Sequence, residues 1–440
     1  MKKSISLIIF ITFFTSCSFD NSSRIWTGNE QLLKSSRNSN LTLVFKDKTN
    51  ILEKKELSNN QLLVLDKPQN INNWEQRYLN NFNNVNNITF TNKGNLKKYS
   101  KISKYEVNDN ILISGNKVFY SDHKGNIGVY SLTENRLIYK FNFYKKKFKN
   151  TKKLIQLIIK NDLIVAADNL GYVYCINYKN NKVVWAKNML IPFRSNLKIY
   201  NDILFLSDEK NKIIAIDLKD GNKIDELYTQ PAKTVSNFQN NFALDKNNNL
   251  LFLSTSGSLY SVSLINNKII NWIQNFNLND DITFTSSPII VSDKIIIIAT
   301  KNQIAAINTN GRRLWDLELS SRITPVVSGN TVVVVTNNNF IILINKETGK
   351  ILYSNNIISL IRDNFKDKFV KKIRSIKNIF LLDKKLLLVS DNSYFIELSL
   401  KNNLNLTSIK KNPFKISSDI IFIDNEMIFV SKKNRVYKIN

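Results

Sequence analysis

Glycine is scarce in this chain, at 11 of 440 residues, where an average protein carries roughly 7%. Proline is scarcer at 6, cysteine numbers 2, and there is one histidine. Each shortage excludes something. Two cysteines, Cys17 and Cys175, cannot make a disulfide-rich scaffold or a cysteine-based zinc site. The lone histidine, His123, lies in the turn-like run Ser121-Asp122-His123-Lys124-Gly125, where it reads as a surface residue. No Ser/His/Asp set, zinc spacing, phosphate loop or Cys-x-x-Cys-His haem site can be assembled. No stretch reaches 18 apolar residues, so no membrane-spanning helix is expected.

Few glycines leave many turns to be made. Asn and Asp take that work at Asn180-Asn181, Asn247-Asn248-Asn249, Asn266-Asn267 and Asn337-Asn338-Asn339, because Asn is the residue after glycine that best tolerates the left-handed region. Acidic residues are also outnumbered: the formal charge is +28. So basic a balance suggests an anionic neighbour, nucleic acid or a membrane surface. The charge is spread along the whole chain, however, which equally fits a solvated surface rich in lysine.

The N-terminus weighs against nucleic acid. Met1-Lys2-Lys3 is a basic start, Ile5 to Phe14 an apolar run too short to span a bilayer, and Phe14-Thr15-Ser16-Cys17 follows. The pattern resembles the bacterial lipobox, with Phe14 where Leu is usual. The resemblance implies a lipoprotein signal over residues 1–16, acylation of Cys17, a polar tether over 17–40, and a folded domain over 41–440. Ser18 after the Cys implies sorting to the outer membrane. Cys175, within Tyr172-Val173-Tyr174-Cys175-Ile176, reads as a buried, inert thiol.

What the chain has in abundance is a repeat. A polar turn leads to an apolar strand, a small or polar break, a second strand, another turn, and a third strand that often holds an aromatic. Eight copies centre on Phe119, Val165, Phe205, Phe252, Ile297, Val334, Leu387 and Phe429, spaced 37 to 53 residues apart. That is the length of a four-stranded propeller blade. The strands are continuous apolar runs, so both faces are buried, as blades stacked around an axis require. A β-sandwich would show more alternation and a β-solenoid a shorter period. The expectation is an all-β fold: one β-propeller with eight four-stranded blades, or seven as the alternative. The last copy, Met427 to Val430 and Arg435 to Ile439, falls short of a blade. The unmatched N-terminal strands, Leu41 to Phe45 and Gln61 to Leu65, are the candidates to complete it and remove two open edges.

The turns carry a signature. Ala215-Ile216-Asp217-Leu218-Lys219-Asp220-Gly221, Ala306-Ile307-Asn308-Thr309-Asn310-Gly311 with Trp315, and Ile344-Asn345-Lys346-Glu347-Thr348-Gly349 resemble the PQQ-like repeat. Gly221, Gly311 and Gly349 suit a left-handed turn, and Trp185 and Trp315 are placed to pack between blades. Ser286-Ser287-Pro288-Ile289-Ile290 and Ile323-Thr324-Pro325-Val326-Val327 look like the strands that open such blades. With a lipobox and about eight blades, the whole resembles the BamB family of lipoproteins of the outer-membrane β-barrel assembly machine. Asn72-Asn73-Trp74-Glu75-Gln76 resembles the opening segment of its alphaproteobacterial forms.

That resemblance implies a non-catalytic scaffold without cofactor or metal, which docks the periplasmic domain of a BamA-like insertase as a monomer in a larger complex. It implies no nucleic-acid partner. The family's docking loop looks like Met189-Leu190-Ile191-Pro192-Phe193-Arg194-Ser195-Asn196, where Phe193 and Arg194 fit an aromatic contact beside a planar donor. The alternative is that Phe193 packs inside and Arg194 only caps the loop. Two further readings stand beside it. One is a degenerate quinoprotein, although no vicinal cysteine pair is present and the carboxylates, Asp280-Asp281 among them, lack a pairing pattern. The other is a propeller that binds glycan or anionic lipid through Lys145-Lys146-Lys147 and Lys371-Lys372.

Overall fold

The computed structural model describes residues 54–57, 63–144, 148–232, 239–265, 269–277, 284–365, 370–400 and 404–440. Its strands form eight four-stranded antiparallel sheets, each in simple up-and-down order except the last. In chain order these are blade 1 (residues 112–142), blade 2 (155–188), blade 3 (198–227), blade 4 (241–275), blade 5 (290–317), blade 6 (326–356), blade 7 (376–411) and blade 8 (421–439 plus 96–101). The protein is an eight-bladed β-propeller.

Position within a blade explains each strand's sequence. The second and third strands lie mid-sheet and are covered on both faces. Thr331–Val335 and Asn126–Ser131 are buried at every residue, hence their unbroken apolar runs. The outer strands meet solvent and alternate: Lys182–Asn188 buries only Trp185, and Arg313–Leu317 only Trp315. The innermost strands of blades 1, 3, 5, 6 and 8 are three residues long. Three residues are too few to show a period, so each repeat centre read from the sequence is the second strand of its blade, not the first.

In blades 1 to 7 the pairing of third and outer strand slips at one corresponding step. Such a bulge bends the strand and re-aims a side chain. It leaves Tyr139, Trp185, Asp225, Trp272, Trp315, Tyr353 and Ser408 at the equivalent outer-strand position. Trp185 lies over Gly221 of blade 3, Trp272 over Gly311 of blade 5 and Trp315 over Gly349 of blade 6. A Cβ at Gly349 would stand 2.6 Å from the Trp315 ring. The indole N–H groups donate to Leu218 O at 2.7 Å, Thr309 O at 2.9 Å and Lys346 O at 2.8 Å. Each ring thus fills an inter-blade gap and satisfies its one polar atom.

The ring is closed by Leu96–Lys101, the outer strand of blade 8, which pairs antiparallel with Arg435–Ile439 through Leu96↔Ile439 and Lys98↔Tyr437. The closing strand is N-terminal, as anticipated, but it is not either segment named for the task. Leu41 to Phe45 lie outside the described residues. Leu63 to Leu65 form no strand and run beside blade 6, where Val64 O accepts from Asn330 N at 3.1 Å. The true closing strand, Leu-Lys-Lys-Tyr-Ser-Lys, escapes a search for apolar runs because an outer strand needs one buried ring, here Tyr99 at 2% exposure. The long gap between blades 6 and 7 holds a helix, Ile357–Asn364, capped by the Asn356 side chain and seated on Ile357, Leu360 and Ile361.

Asparagine does occupy left-handed turns. Asn116, Asn135, Asn161, Asn181, Asn248 and Asn339 all have positive φ between 53° and 61°.

Candidate functional site

Two regions stand out: the axis and one inter-blade loop. Residues between the N-terminal arm and the closing strand cross the propeller where the inner strands converge. Trp74 exchanges backbone hydrogen bonds with Ile113 of blade 1, and Glu75 O accepts from Ile159 of blade 2. Asn81 O and Phe82 O accept from Leu244 and Val291 of blades 4 and 5. Ile88 meets Leu381 of blade 7, and Ile71 O accepts from Asp424 of blade 8. Asn83, 1% exposed, donates through its amide to Phe242 O and Ile289 O.

Arg77 stands at the centre. Its guanidinium reaches Asp109 of the turn before blade 1 at 2.8 Å, Gln156 of blade 2 at 3.3 Å, Gln239 before blade 4 at 3.3 Å and Asp419 before blade 8 at 3.5 Å. A group that touches blades 1, 2, 4 and 8 at once can lie only on the axis. Arg77 holds the Asp109 carboxyl below its ordinary value. Burial pushes Asp419 up to about 6 against the pull of Arg77. Close by, Lys198 is fully buried and donates to Gln76 Oε1 at 3.0 Å and Asn80 O at 2.7 Å. Burial drives its pKa well below that of a free lysine. Residues 71–88 thus line the axis and bond to the inner edges of blades 1, 2, 4, 5, 7 and 8.

The loop joins blade 2 to blade 3 and is tied down along its length. Met189 N donates to Gly171 O at 2.8 Å, Phe193 N to Asp168 O at 3.0 Å and Arg194 N to Ser207 O at 3.0 Å. Pro192 O and Arg194 O accept from Glu209 and Asn240 at 2.9 and 2.7 Å. Phe193, considered as an exposed aromatic contact, is 6% exposed and packs with Trp185, Leu197, Leu204 and Leu206 between blades 2 and 3. Its ring fills the cleft and is not offered to a partner. Arg194 remains at the surface, its Nε 3.8 Å from Glu209 Oε2. The apolar group that the loop does present is Leu190, 82% exposed at φ +65°. The loop thus holds Leu190 outward beside the partly buried Arg194–Glu209 pair. The sequence did contain the signal: Leu190 follows Asn188, whose side chain accepts from Leu190 N at 2.9 Å and turns the loop outward.

The family model described as outer membrane protein assembly factor BamB matches residues 152–355, which run through blades 2 to 6. The crystal structure of BamB from Moraxella catarrhalis superposes with a TM-score of 0.59 at 15% identity, covering 78% of this chain and 97% of that one. The chain is a BamB-like PQQ-repeat propeller. A quinohemoprotein alcohol dehydrogenase from Comamonas testosteroni shares the architecture at a TM-score of 0.61 and 8% identity, over 83% of this chain and 80% of that one. The computationally designed protein Ika8 does so at 0.57 and 12%, over 78% and 98%. These likenesses show the fold. No curated protein matches the chain by sequence.

The remaining sequence candidates find their places in this BamB-like propeller. Cys175 is fully buried in the third strand of blade 2, and burial pushes its thiol up to about 12, so it is inert. His123 does lie in a turn, but it is not surface decoration: it is half-buried with Nδ1 3.2 Å from Glu106 Oε2, and burial lowers its pKa. Lys371 and Lys372 are exposed. Cys17, Lys145-Lys146-Lys147 and Asp280-Asp281 lie outside the described residues. Among the described residues no group of three or more His, Cys, Asp or Glu side chains could hold a metal ion, and no helix is long and apolar enough to cross a membrane.

Proposed function

We propose that the protein is a non-catalytic scaffold of the outer-membrane β-barrel assembly machinery. It is held at the periplasmic face of the outer membrane by a lipid on Cys17, and it docks the periplasmic domain of a BamA-like insertase. The observation that carries this reading is the match to the assembly-factor family across blades 2 to 6, the stretch that contains the Leu190 loop. Rigidity supports it. A loop pinned by backbone hydrogen bonds to two blades loses little entropy on docking.

Docking would seat Leu190 in an apolar pocket of the partner with Arg194 beside it, while Phe193 holds the loop from below. The test is a native pull-down from outer membranes. Wild type is expected to recover the insertase, and Leu190→Asp/Arg194→Glu to lose it while keeping a wild-type melting temperature. Phe193→Ala should lower the melting temperature, which separates support of the loop from contact with the partner. Absence of any insertase component with wild type overturns the reading. A Cys17→Ser form found in soluble periplasmic extract, with wild type in the membrane fraction, would establish the anchor.

A further inference from the structure

Seven inter-blade junctions are made within one continuous run of chain, and the junction of blades 7 and 8 borders the seam. There the aromatic is missing. Ser408 occupies the position that holds Trp185, Trp272 and Trp315 in blades 2, 4 and 5, and its hydroxyl is buried with no hydrogen-bond partner. The receiving glycine is nevertheless present. Gly94 precedes the outer strand of blade 8 by two residues, as Gly221, Gly311 and Gly349 precede theirs. It has the same left-handed backbone, φ +79°. A Cβ on Gly221, Gly311 or Gly349 would strike an indole ring, whereas one on Gly94 would meet nothing within 4 Å.

The space is a cavity of about 560 Å³ bounded by Phe90, Leu387, Phe395 and Met427. That is ample for one aromatic side chain with its flanking backbone, within the range of small-ligand sites. Loss of the aromatic does not by itself open a hole. Blade 3 has Asp225 at the equivalent position, yet the gap beside it is about 20 Å³, with Phe205, Leu250, Val262 and Leu264 in its wall. At the seam no such filling occurs among the described residues. The cavity's edge carries Lys93, Lys384, Lys385 and Lys410 against Asp383 and Glu397, and all four lysines are exposed.

We propose that this seam cavity binds an aromatic side chain of an acidic peptide segment in a partner protein. The ring lies beside Gly94 among Phe90, Phe395 and Met427, and the flanking carboxylates pair with the lysines. The proposal stands apart from the docking loop, which is on the opposite end of the blades and three blades further along the ring, and does not depend on it.

The probe is a blocked pentapeptide with one tryptophan between two pairs of aspartates, titrated calorimetrically into the purified full chain. It should bind at least tenfold more tightly than the same peptide with alanine for tryptophan, or with lysines for the aspartates. Ser408→Trp supplies the ring from within, and should weaken the peptide at least tenfold while raising the melting temperature. Lys384→Glu/Lys410→Glu changes only exposed side chains, and should weaken it several-fold and flatten its salt dependence. This second variant decides the matter if Ser408→Trp does not fold. Equal affinity for the tryptophan and alanine peptides, no binding by wild type, or unchanged binding by folded Ser408→Trp or by the lysine variant overturns the proposal.

Discussion

The junction of blades 5 and 6 and the junction of blades 7 and 8 are built from one repeat and end differently. At the first, Trp315 covers Gly349 and its N–H finds Lys346 O. At the second, Ser408 stands at the equivalent strand position and a Cβ on Gly94 would meet none of the described residues within 4 Å. The difference lies beside the blade that is closed by a strand from elsewhere in the chain. Blade 6 has a covalent turn between its third and outer strands. Blade 8 has none, because its third strand ends at Ile439 and its outer strand starts at Leu96. A ring that packs through its turns is therefore weakest where a turn is replaced by two chain segments. The axis compensates, since Arg77 ties Asp419 of the blade 8 side to Asp109 and Gln156 of blades 1 and 2.

The comparison can be broken in order of effect. Arg77→Met removes a nearly buried cation that bonds the partly exposed Asp109 and Asp419 as well as Gln156 and Gln239, and should cost about 3–4 kcal/mol, read as a lower midpoint in urea. Trp315→Ala empties a filled gap and should cost about 3 kcal/mol. Ser408→Ala at the other junction should cost less than about 0.5 kcal/mol, so near-equal losses would refute the contrast. Gly349→Ala combines a left-handed backbone with a Cβ 2.6 Å from the Trp315 ring. It should cost about 2 kcal/mol.

The pH dependence gives a smaller effect. Burial lifts Asp168 to about 6, above the value of a free aspartate, while its carboxylate accepts from Leu170 N at 2.7 Å and Tyr172 N at 3.0 Å. The folded state then binds this proton more tightly than the unfolded one. Stability from this group is full below about pH 4 and is lost as pH rises through the folded value. Asp168→Asn should remove that part of the slope between pH 4 and 7 in thermal melts. An unchanged slope would show that Asp168 titrates normally.

Much of the fold was legible. Fully buried middle strands wrote themselves into the sequence as runs such as Ile295-Ile296-Ile297-Ile298, and their spacing gave the number of blades. Elements that bury little left little trace. Three-residue inner strands show no period, and Leu96–Lys101 looks polar because one Tyr suffices for its packing. The helix Ile357–Asn364 was not anticipated, because eight residues give too short a period to stand out. In the candidate site the loop was found but its orientation was not. Phe193 and Leu190 are both apolar, and only the bonds from Phe193 N to Asp168 O and from Leu190 N to the Asn188 side chain decide which one points out. Trp272 went unpaired with Gly311 because the two lie 39 positions apart in different repeats.

Closure by the N-terminal strand underlies the rigid ring, and amide hydrogen exchange at residues 96–101 tests it directly. With Leu96, Lys97 and Lys98 laddered against Ile439, Lys438 and Tyr437, their exchange should be slowed as much as that of the outer strand of blade 5. Exchange of this segment at the rate of an unstructured peptide, while Arg313–Leu317 stays protected, would mean that the ring is open.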